Sequence, residues 1–398
     1  MTSNGTFVLS LDIGGANTKI SLLHLDIDNY IKKKTIEHSK RYNTILSHSE
    51  NLLSETVYFP FWQRDKNEFS NVLKGIKTRT ERIIELKAPD KNKISYSIVV
   101  TVTAELSDAF YTKQEGIEVI AKSLQQEFSD GDVRFINADA EFVRAGAAIN
   151  DYLSVSASNW VATSLVFGER EKLGMLLDMG STTLDLIPIK EGLPATVGKN
   201  DVDRLLNEEL FYTGVLRPPV STIVQSVPFR NAKCPISFER FALMADVYRI
   251  LGKIDEEQYT CDTADGRGKD LENCYARLAR MVCGDIDMIK KNELDEIAEY
   301  IYQEQKNIVE EAIRKSINTF VRRFITPISK IRFNITGLGA NIVLKPALKA
   351  IDIKEKQIFL RGLSVKEHVL STAICLGVVY LKKLIKSYSF RKTQAGKS

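Results

Sequence analysis

Cysteine is scarce in this chain and nowhere falls in a CxxC spacing. The five, Cys234, Cys261, Cys274, Cys283 and Cys375, are odd in number and scattered. That excludes a disulfide-framed secreted domain and fits a reduced, cytoplasmic compartment. A zinc site on Cys261, Cys274 and Cys283 would need a fourth ligand, and His24, His38, His48 and His368 all lie far away in sequence. A charged leader followed by an apolar core is also missing, since "MTSNGTFVLSLD" enters a strand at once. No apolar run reaches the ~20 residues of a membrane span. The longest, "VLSTAICLGVVYL" from Val369, is broken by Ser and Thr and reads as a buried helix. Charge of one sign is weak too. A net charge of +4 over 398 residues is too small for a dedicated nucleic-acid binder. The basic ending "LKKLIKSYSFRKTQAGKS" reads as a solvated tail. Neither nucleic acid nor membrane is expected as a partner. The oligomeric state stays open between a monomer and a homo-oligomer.

Phosphate-binding signatures of the common kinds are absent as well: there is no GxxxxGK[ST] and no GxGxxG opening a helix. In their place stands "LSLDIGGANTKISLL", residues 9–23, which sets an Asp, two Gly, an Asn, a Thr and a Lys between apolar runs. The pattern recurs as "GMLLDMGSTTLDLIPI", residues 174–189. Asp12 aligns with Asp178, Gly14 with Gly180, Gly15 with Ser181 and Asn17 with Thr183. Each copy reads as a strand, a short polar turn and a returning strand. At this length two domains are the default, and the repeated device predicts a duplicated fold with a cleft between the copies.

The turns suit an anion. Glycine allows positive φ and close approach of the backbone, and successive N–H groups form a nest for phosphate oxygens. Gly14, Gly15, Gly180, Ser181, Thr182, Thr183, Asn17 and Thr18 are therefore candidate phosphate-binding residues, with Lys19 neutralising charge. Asp12 and Asp178, at strand ends, are candidate magnesium ligands, because that ion takes one or two carboxylates alongside phosphate oxygens and water. A third turn follows the strand-like "KIRFNI": in "TGLGANIVLKPAL" Gly337 and Gly339 precede a helix. It is either a further anion or nucleotide corner or a tight strand-to-helix turn.

Hairpin, hairpin, then strand–GxG–helix resembles the two phosphate loops and the adenosine loop of the actin-like ATPase superfamily. That resemblance implies an α/β fold of two ribonuclease-H-like lobes, each with a mixed five-stranded sheet, around a central cleft. The lobes are expected at residues 1–155 and 156–398, with a mainly helical insertion at about 205–325. In that insertion Leu294, Ile297, Ile301, Ile308 and Ile317 fall near helical spacing and read as core. In "SASNWVATS", Ser158 reads as a helix N-cap and Trp160 as packing.

Within the superfamily the chain resembles the hydantoinase/oxoprolinase group, and there the branch linked to tetrahydromethanopterin-dependent one-carbon metabolism. The stretches that carry this are "VTVTAELSDAF", "NADAEFVRAGAA", "SASNWVATS", "LDMGSTTLDLIPI", "FYTGVLRPPV", "FALMADVYRILG" and "TADGRGKDLENCYARLARMVCGD". Asn200 stands where that branch has Thr, and Gly268 where it has Pro. The resemblance implies a step of methanofuran biosynthesis: an aminomethylfuran methyl diphosphate couples to γ-glutamyltyramine, forming an aryl ether and releasing diphosphate. ATP is not required for this chemistry, though the GxG corner leaves room for it.

A carboxylate that accepts the phenol proton would help such a reaction, since a phenol has a pKa near 10. Asp185 is the first candidate, with a positioning role for Thr183 or a metal-bound water as its alternative, and Asp139 and Glu141 follow. Arg217, Asp265, Arg267 and Arg277 are candidates for a glutamyl carboxylate or diphosphate, because the Arg fork binds both bidentately. The other reading of those four is an Arg–Asp network bracing a loop. Two competing functions remain: an ATP-dependent cyclic-amide hydrolase and a non-catalytic nucleotide-binding switch.

Overall fold

The computed structural model describes residues 5–33, 41–88, 95–129, 131–361 and 371–395. His38 and His368 lie outside them. Contacts divide the chain into two units. One comprises Met1–Glu171, Glu191–Asp203 and Leu363–Ser398, the other Lys172–Lys190 and Arg204–Gly362. The boundary expected at 155/156 is not where the contacts divide the chain: residues 156–171 and the C-terminal helix pack with the first unit.

The first unit is built on β1 (Thr6–Ile13), β2 (Asn17–Leu25), β3 (Glu50–Tyr58), β4 (Ser97–Val102), β5 (Asp132–Ile136) and β6 (Phe142–Arg144). They pair in the order β3-β2-β1-β4-β5-β6. The expected five strands gain a sixth, β6, antiparallel to β5. β1–β3 form an antiparallel meander, whereas β4 and β5 run parallel to β1 and therefore need helical crossovers. Strand alternation sorts the faces. Leu9, Leu11 and Ile13 join a core with residues of α3 (Phe69–Lys87), α4 (Lys113–Glu127) and α5 (Ala145–Asn150). Short helices α1 (Ile27–Lys33), α2 (Tyr42–His48) and α6 (Tyr152–Val155) complete the connections.

On the other face lie α7 (Asn159–Gly168), against which the short strand β9 (Leu193–Pro194) packs, and α13 (Ser371–Ala395). At Gly377 of α13 a Cβ would stand 2.6 Å from Ser10 Oγ, so glycine lets this helix lie directly on β1. Glu169 ties the same layer together, accepting from the Tyr42 amide at 2.8 Å and Lys382 Nζ at 2.8 Å. Ser158 occupies the N-cap position of α7 without making a capping bond. Its hydroxyl donates to the Ile136 carbonyl at 2.9 Å and pairs with Thr101 at 3.3 Å, so sheet contacts outcompete the cap. Trp160 is buried as expected.

The second unit repeats the strand order. β7 (Leu173–Met179), β8 (Leu184–Lys190), β10 (Leu210–Phe211), β13 (Arg332–Thr336) and β14 (Ile358–Leu360) pair as β10-β8-β7-β13-β14. Again the first three are antiparallel and the last two run parallel to the first. α8 (Asp201–Leu206) leads into it, and α12 (Lys345–Ala350) follows β13. The span expected as a helical insertion holds α9 (Met244–Ile250), α10 (Leu271–Arg280) and the 34-residue α11 (Lys291–Phe324), together with a hairpin of β11 (Ser226–Phe229) and β12 (Ala232–Pro235). Leu294, Ile297, Ile301 and Ile317 are buried as expected, but Ile308 is exposed and not part of the core. Val309 takes the core position in that turn and the buried Gln305 the one before it. Among the described residues no helix is long and apolar enough to cross a membrane.

Candidate functional site

Both glycine-bearing stretches fold into the same device. Gly14 N–H donates to Asn17 O at 3.0 Å, and Gly180 N–H to Thr183 O at 2.9 Å. Each hairpin therefore closes over two residues, Gly15-Ala16 in one and Ser181-Thr182 in the other. Neither uses positive φ, since Gly14, Gly15 and Gly180 are absent from the left-handed residues. The glycines serve clearance instead. A Cβ at Gly14 would crowd Asn17 O at 3.0 Å, and one at Gly180 would meet no heavy atom within 4 Å, which leaves the backbone there open to approach.

What aims each turn is the segment that takes its carbonyls. In the second hairpin Val215 N–H binds Gly180 O, Leu216 and Arg217 N–H bind Ser181 O, and Gly214 N–H binds Thr182 O, all between 2.9 and 3.0 Å. A trans peptide sets its N–H opposite its C=O. The N–H groups of Ser181, Thr182 and Thr183 consequently face away from residues 214–217, the disposition of an anion nest. Gly214 is required for this: a Cβ there would lie 2.4 Å from Thr182 N. Behind it Gln305 donates to Gly214 O at 2.8 Å and Thr213 Oγ1 at 3.1 Å, and accepts from Tyr248 OH at 2.5 Å. Neither Gly214 nor Gln305 stood out in the sequence. Arg217, by contrast, was expected in the site and is brought to the turn through its own amide.

In the first hairpin Phe61 N–H binds Gly15 O at 3.0 Å and Phe59 N–H binds Ala16 O at 2.7 Å, which turns the N–H groups of Ala16 and Asn17 the opposite way. Thr103 and Ala104 N–H bind Ile13 O at 2.8 and 3.1 Å. Trp62 and Ser107 flank Gly15, so a Cβ on that glycine would stand 3.6 Å from the Trp62 ring and 3.9 Å from Ser107 Cβ.

The strand-end carboxylates differ. Asp12 is buried and pairs across the strands with Lys19, whose Nζ lies 3.0 Å from Oδ2. Thr18 is buried beside it and Asn17 half-buried. Asp178 is half-buried, with Asp185 directly opposite on β8 and Thr336 opposite on β13. Asp185 is not poised as a free base, because the buried Arg204 holds its Oδ1 at 2.7 Å and also reaches Glu209 O. Asp139 and Glu141 are on a surface turn. Asp139 is 63% exposed at its side chain and pairs with Lys199, while Glu141 is exposed and donates its amide to Asn137 Oδ1. The structure brings neither to a hairpin turn. Gly337, at φ +84°, does abut β7: a Cβ would lie 2.5 Å from Asp178 Oδ1, and one at Gly339 would collide with the Met179 side chain. Gly337 and Gly339 thus make a close-packed strand-to-helix turn that seats Asp178.

Arg277 and Asp265 belong to a brace. Arg277 is fully buried and binds Asp246 at 2.8 Å, Asp265 at 3.1 Å and Gly268 O at 3.1 Å. Although burial pushes the Asp265 carboxyl up, the Arg267 amide and the side chains of Arg280 and Arg277 together hold it below its usual range. Arg267 points outward, 3.7 Å from Asp265. The network reading therefore holds for Arg277 and Asp265, and Gly268 contributes its carbonyl to it. Asn200 acts as a Thr would, its Oδ1 accepting from Asp203 N–H at the start of α8.

Among the described residues no three His, Cys, Asp or Glu side chains form a metal cage. The donors fit a magnesium ion that arrives with phosphate oxygens and keeps its waters. Asp178, half-buried and facing Asp185, fits direct contact better than Asp12, whose carboxylate already carries an ammonium.

Two duplicated ribonuclease-H-like sheets, each carrying a glycine hairpin between its first strands, define an actin-like α/β protein. A hydantoinase/oxoprolinase family model matches residues 97–365, and the chain belongs to that family. It is 38% identical over 352 residues, 87% of this chain and 91% of the relative, to the (4-{4-[2-(gamma-L-glutamylamino)ethyl]phenoxymethyl}furan-2-yl)methanamine synthase of Methanocaldococcus jannaschii. A Methanococcus vannielii protein of the same name is 36% identical over 181 residues, covering 46% of this chain and 77% of that protein. Among solved structures, the activator of 2-hydroxyisocaproyl-CoA dehydratase from Clostridium difficile is 12% identical at a TM-score of 0.41, covering 97% of this chain and 98% of its own.

Proposed function

We propose that the protein is a transferase of methanofuran biosynthesis, joining an aminomethylfuran methyl diphosphate to γ-glutamyltyramine. The observation that carries this is the 38% identity to a synthase of that name along 87% of this chain and 91% of the relative. The tyramine phenol oxygen bonds to the furanylmethyl carbon, the carbon–oxygen bond to diphosphate breaks with its electron pair, and the phenol proton is given up. No ATP is consumed. Negative charge grows on the leaving group, so fixed donors and cations aimed at it lower the barrier. Each unit's turn carries such donors of its own: the Ala16 and Asn17 amides with the Asn17 side chain in one, and the Ser181, Thr182 and Thr183 amides with their hydroxyls in the other. Arg217, whose amide binds the second turn, adds positive charge there, while Lys19 balances Asp12. In the second unit Asp178 would hold magnesium, which when bound supplies Lewis-acid stabilisation of phosphate oxygens, and in the first unit Asp12 would reach such an ion through water.

The test is mass spectrometry of products from the two substrates with magnesium. The ether mass and diphosphate are expected only when both substrates are present. Family membership favours a second reading, an ATP-dependent cyclic-amide hydrolase. That reading requires ADP release from ATP with hydantoin or oxoproline.

A further inference from the structure

The loop after β4 carries a buried carboxylate that is poorly compensated. Glu105 is 1% exposed, and neither of its oxygens has a hydrogen-bond partner among the side chains and amides around it. Lys113 Nζ, on α4, stands 3.7 Å away, beyond hydrogen-bond range. Lys113 is shared with Asp201 of α8 at 3.3 Å, so one cation serves two carboxylates. Gly116 of α4 closes the other side, where a Cβ would lie 2.7 Å from Glu105 Cα. Burial pushes the Glu105 carboxyl up to about 7, against the pull of the Lys113 charge, and Asp201 adds to the rise. Burying a carboxylate with so little compensation is costly, and such a group in a native structure calls for a functional explanation.

Its place in the loop supplies one. Two residues before it Thr103, and just before it Ala104, clamp the end of β1 at Ile13 O. Two residues after it Ser107 flanks Gly15 of the hairpin turn. Its neighbour Leu106 is 54% exposed, so the loop reaches the surface one residue after it, between Glu105 and the Ser107 that flanks the turn. The sequence-based candidates do not compete for the role: Asp185 is held by Arg204, and Asp139 and Glu141 lie on a surface turn.

We propose that Glu105 is the catalytic base of the transfer, accepting the phenol proton as the phenol oxygen bonds to the furanylmethyl carbon and diphosphate departs with the electron pair of the broken bond. This rests on the transferase reading. Apo geometry does not count against a buried base, because catalytic hydrogen bonds commonly form only with substrate bound.

The experiment compares wild type, Glu105→Gln and Glu105→Asp with γ-glutamyltyramine and with a ring-fluorinated analogue whose phenol is already ionised at pH 8. Glu105→Gln is expected to lower kcat by about 100-fold or more on the parent phenol, and by less than about 10-fold on the fluorinated one, which needs no base. Glu105→Asp, which keeps a carboxylate, falls between. The Gln variant is expected to melt no lower than wild type at pH 8. Equal losses on both phenols, near-wild-type turnover, or a Gln variant that melts lower would each overturn the assignment. If wild type forms no ether with either phenol, the transferase reading fails and takes this inference with it.

Discussion

The two hairpins share a turn and differ in everything that supports it. In the first unit the carbonyls are taken by Phe59–Phe61, just past the end of β3, and by Thr103–Ala104, just past the end of β4, and the strand-end Asp12 is balanced across one strand pair by Lys19. In the second unit Gly214–Arg217 takes them, backed by Gln305 from the middle of α11, and Asp178 faces a second carboxylate that a buried arginine neutralises. The turn is thus a local property, while its aim and charge are set by residues from elsewhere in the chain. The first turn has beneath it the ion pair of half-buried Lys19 with buried Asp12; the second rests on a buried polar network.

Removing support is therefore expected to hurt the second hairpin more. The largest effect is expected from Arg204→Met, which leaves Asp185 buried without its partner. Breaking a buried pair costs about 3–5 kcal/mol, whereas Lys19→Met, at a cation with 29% of its side chain exposed, should cost roughly a third of that. Chemical denaturation of both variants measures the difference, and equal costs would erase the contrast. Next comes Gly214→Ala. Its Cβ would meet Thr182 N at 2.4 Å, and such overpacking costs about 1–3 kcal/mol; turnover should fall more than stability because the nest is displaced. Gln305→Leu strands Gly214 O, Thr213 and Tyr248, a loss of about 1–3 kcal/mol that calorimetry would register. Smallest is Gly180→Ala, which meets no heavy atom within 4 Å: stability should change by less than ~1 kcal/mol, and any loss should appear in KM for the diphosphate.

Glu105 sharpens the comparison through pH. An acid whose pKa is raised on folding binds its proton more tightly when folded. Wild-type stability should therefore be highest below the ordinary glutamate value and decline as pH rises towards about 7, the folded value, by an amount on the order of 3 kcal/mol. Glu105→Gln should lack that decline and exceed wild type above pH 7. Thermal melts from pH 5 to 8 decide it, and parallel curves would mean that Glu105 is not strained.

The repeat was legible because local chemistry writes it twice: Asp12 with Asp178, Gly14 with Gly180, Asn17 with Thr183. Strand–GxG–helix was legible for the same reason, although its glycines prove to be packing glycines, forced by Met179 and Asp178 from another strand. Partners distant in sequence were not legible. Asp185 looked like a free base because Arg204 comes 19 residues later on a different element. Glu105 carried no sequence signal of its own, since only the packing of Gly116 onto it reveals the burial. The unit boundary was misplaced because α13 returns to β1 and β2, a contact between opposite ends of the chain.

The most direct measurement is the product mass when purified protein meets the furan diphosphate, γ-glutamyltyramine and magnesium without ATP. The account expects the ether and one equivalent of diphosphate, with neither formed when one substrate is withheld. A folded protein that makes no ether under those conditions, yet releases ADP from ATP with hydantoin or oxoproline, would contradict it.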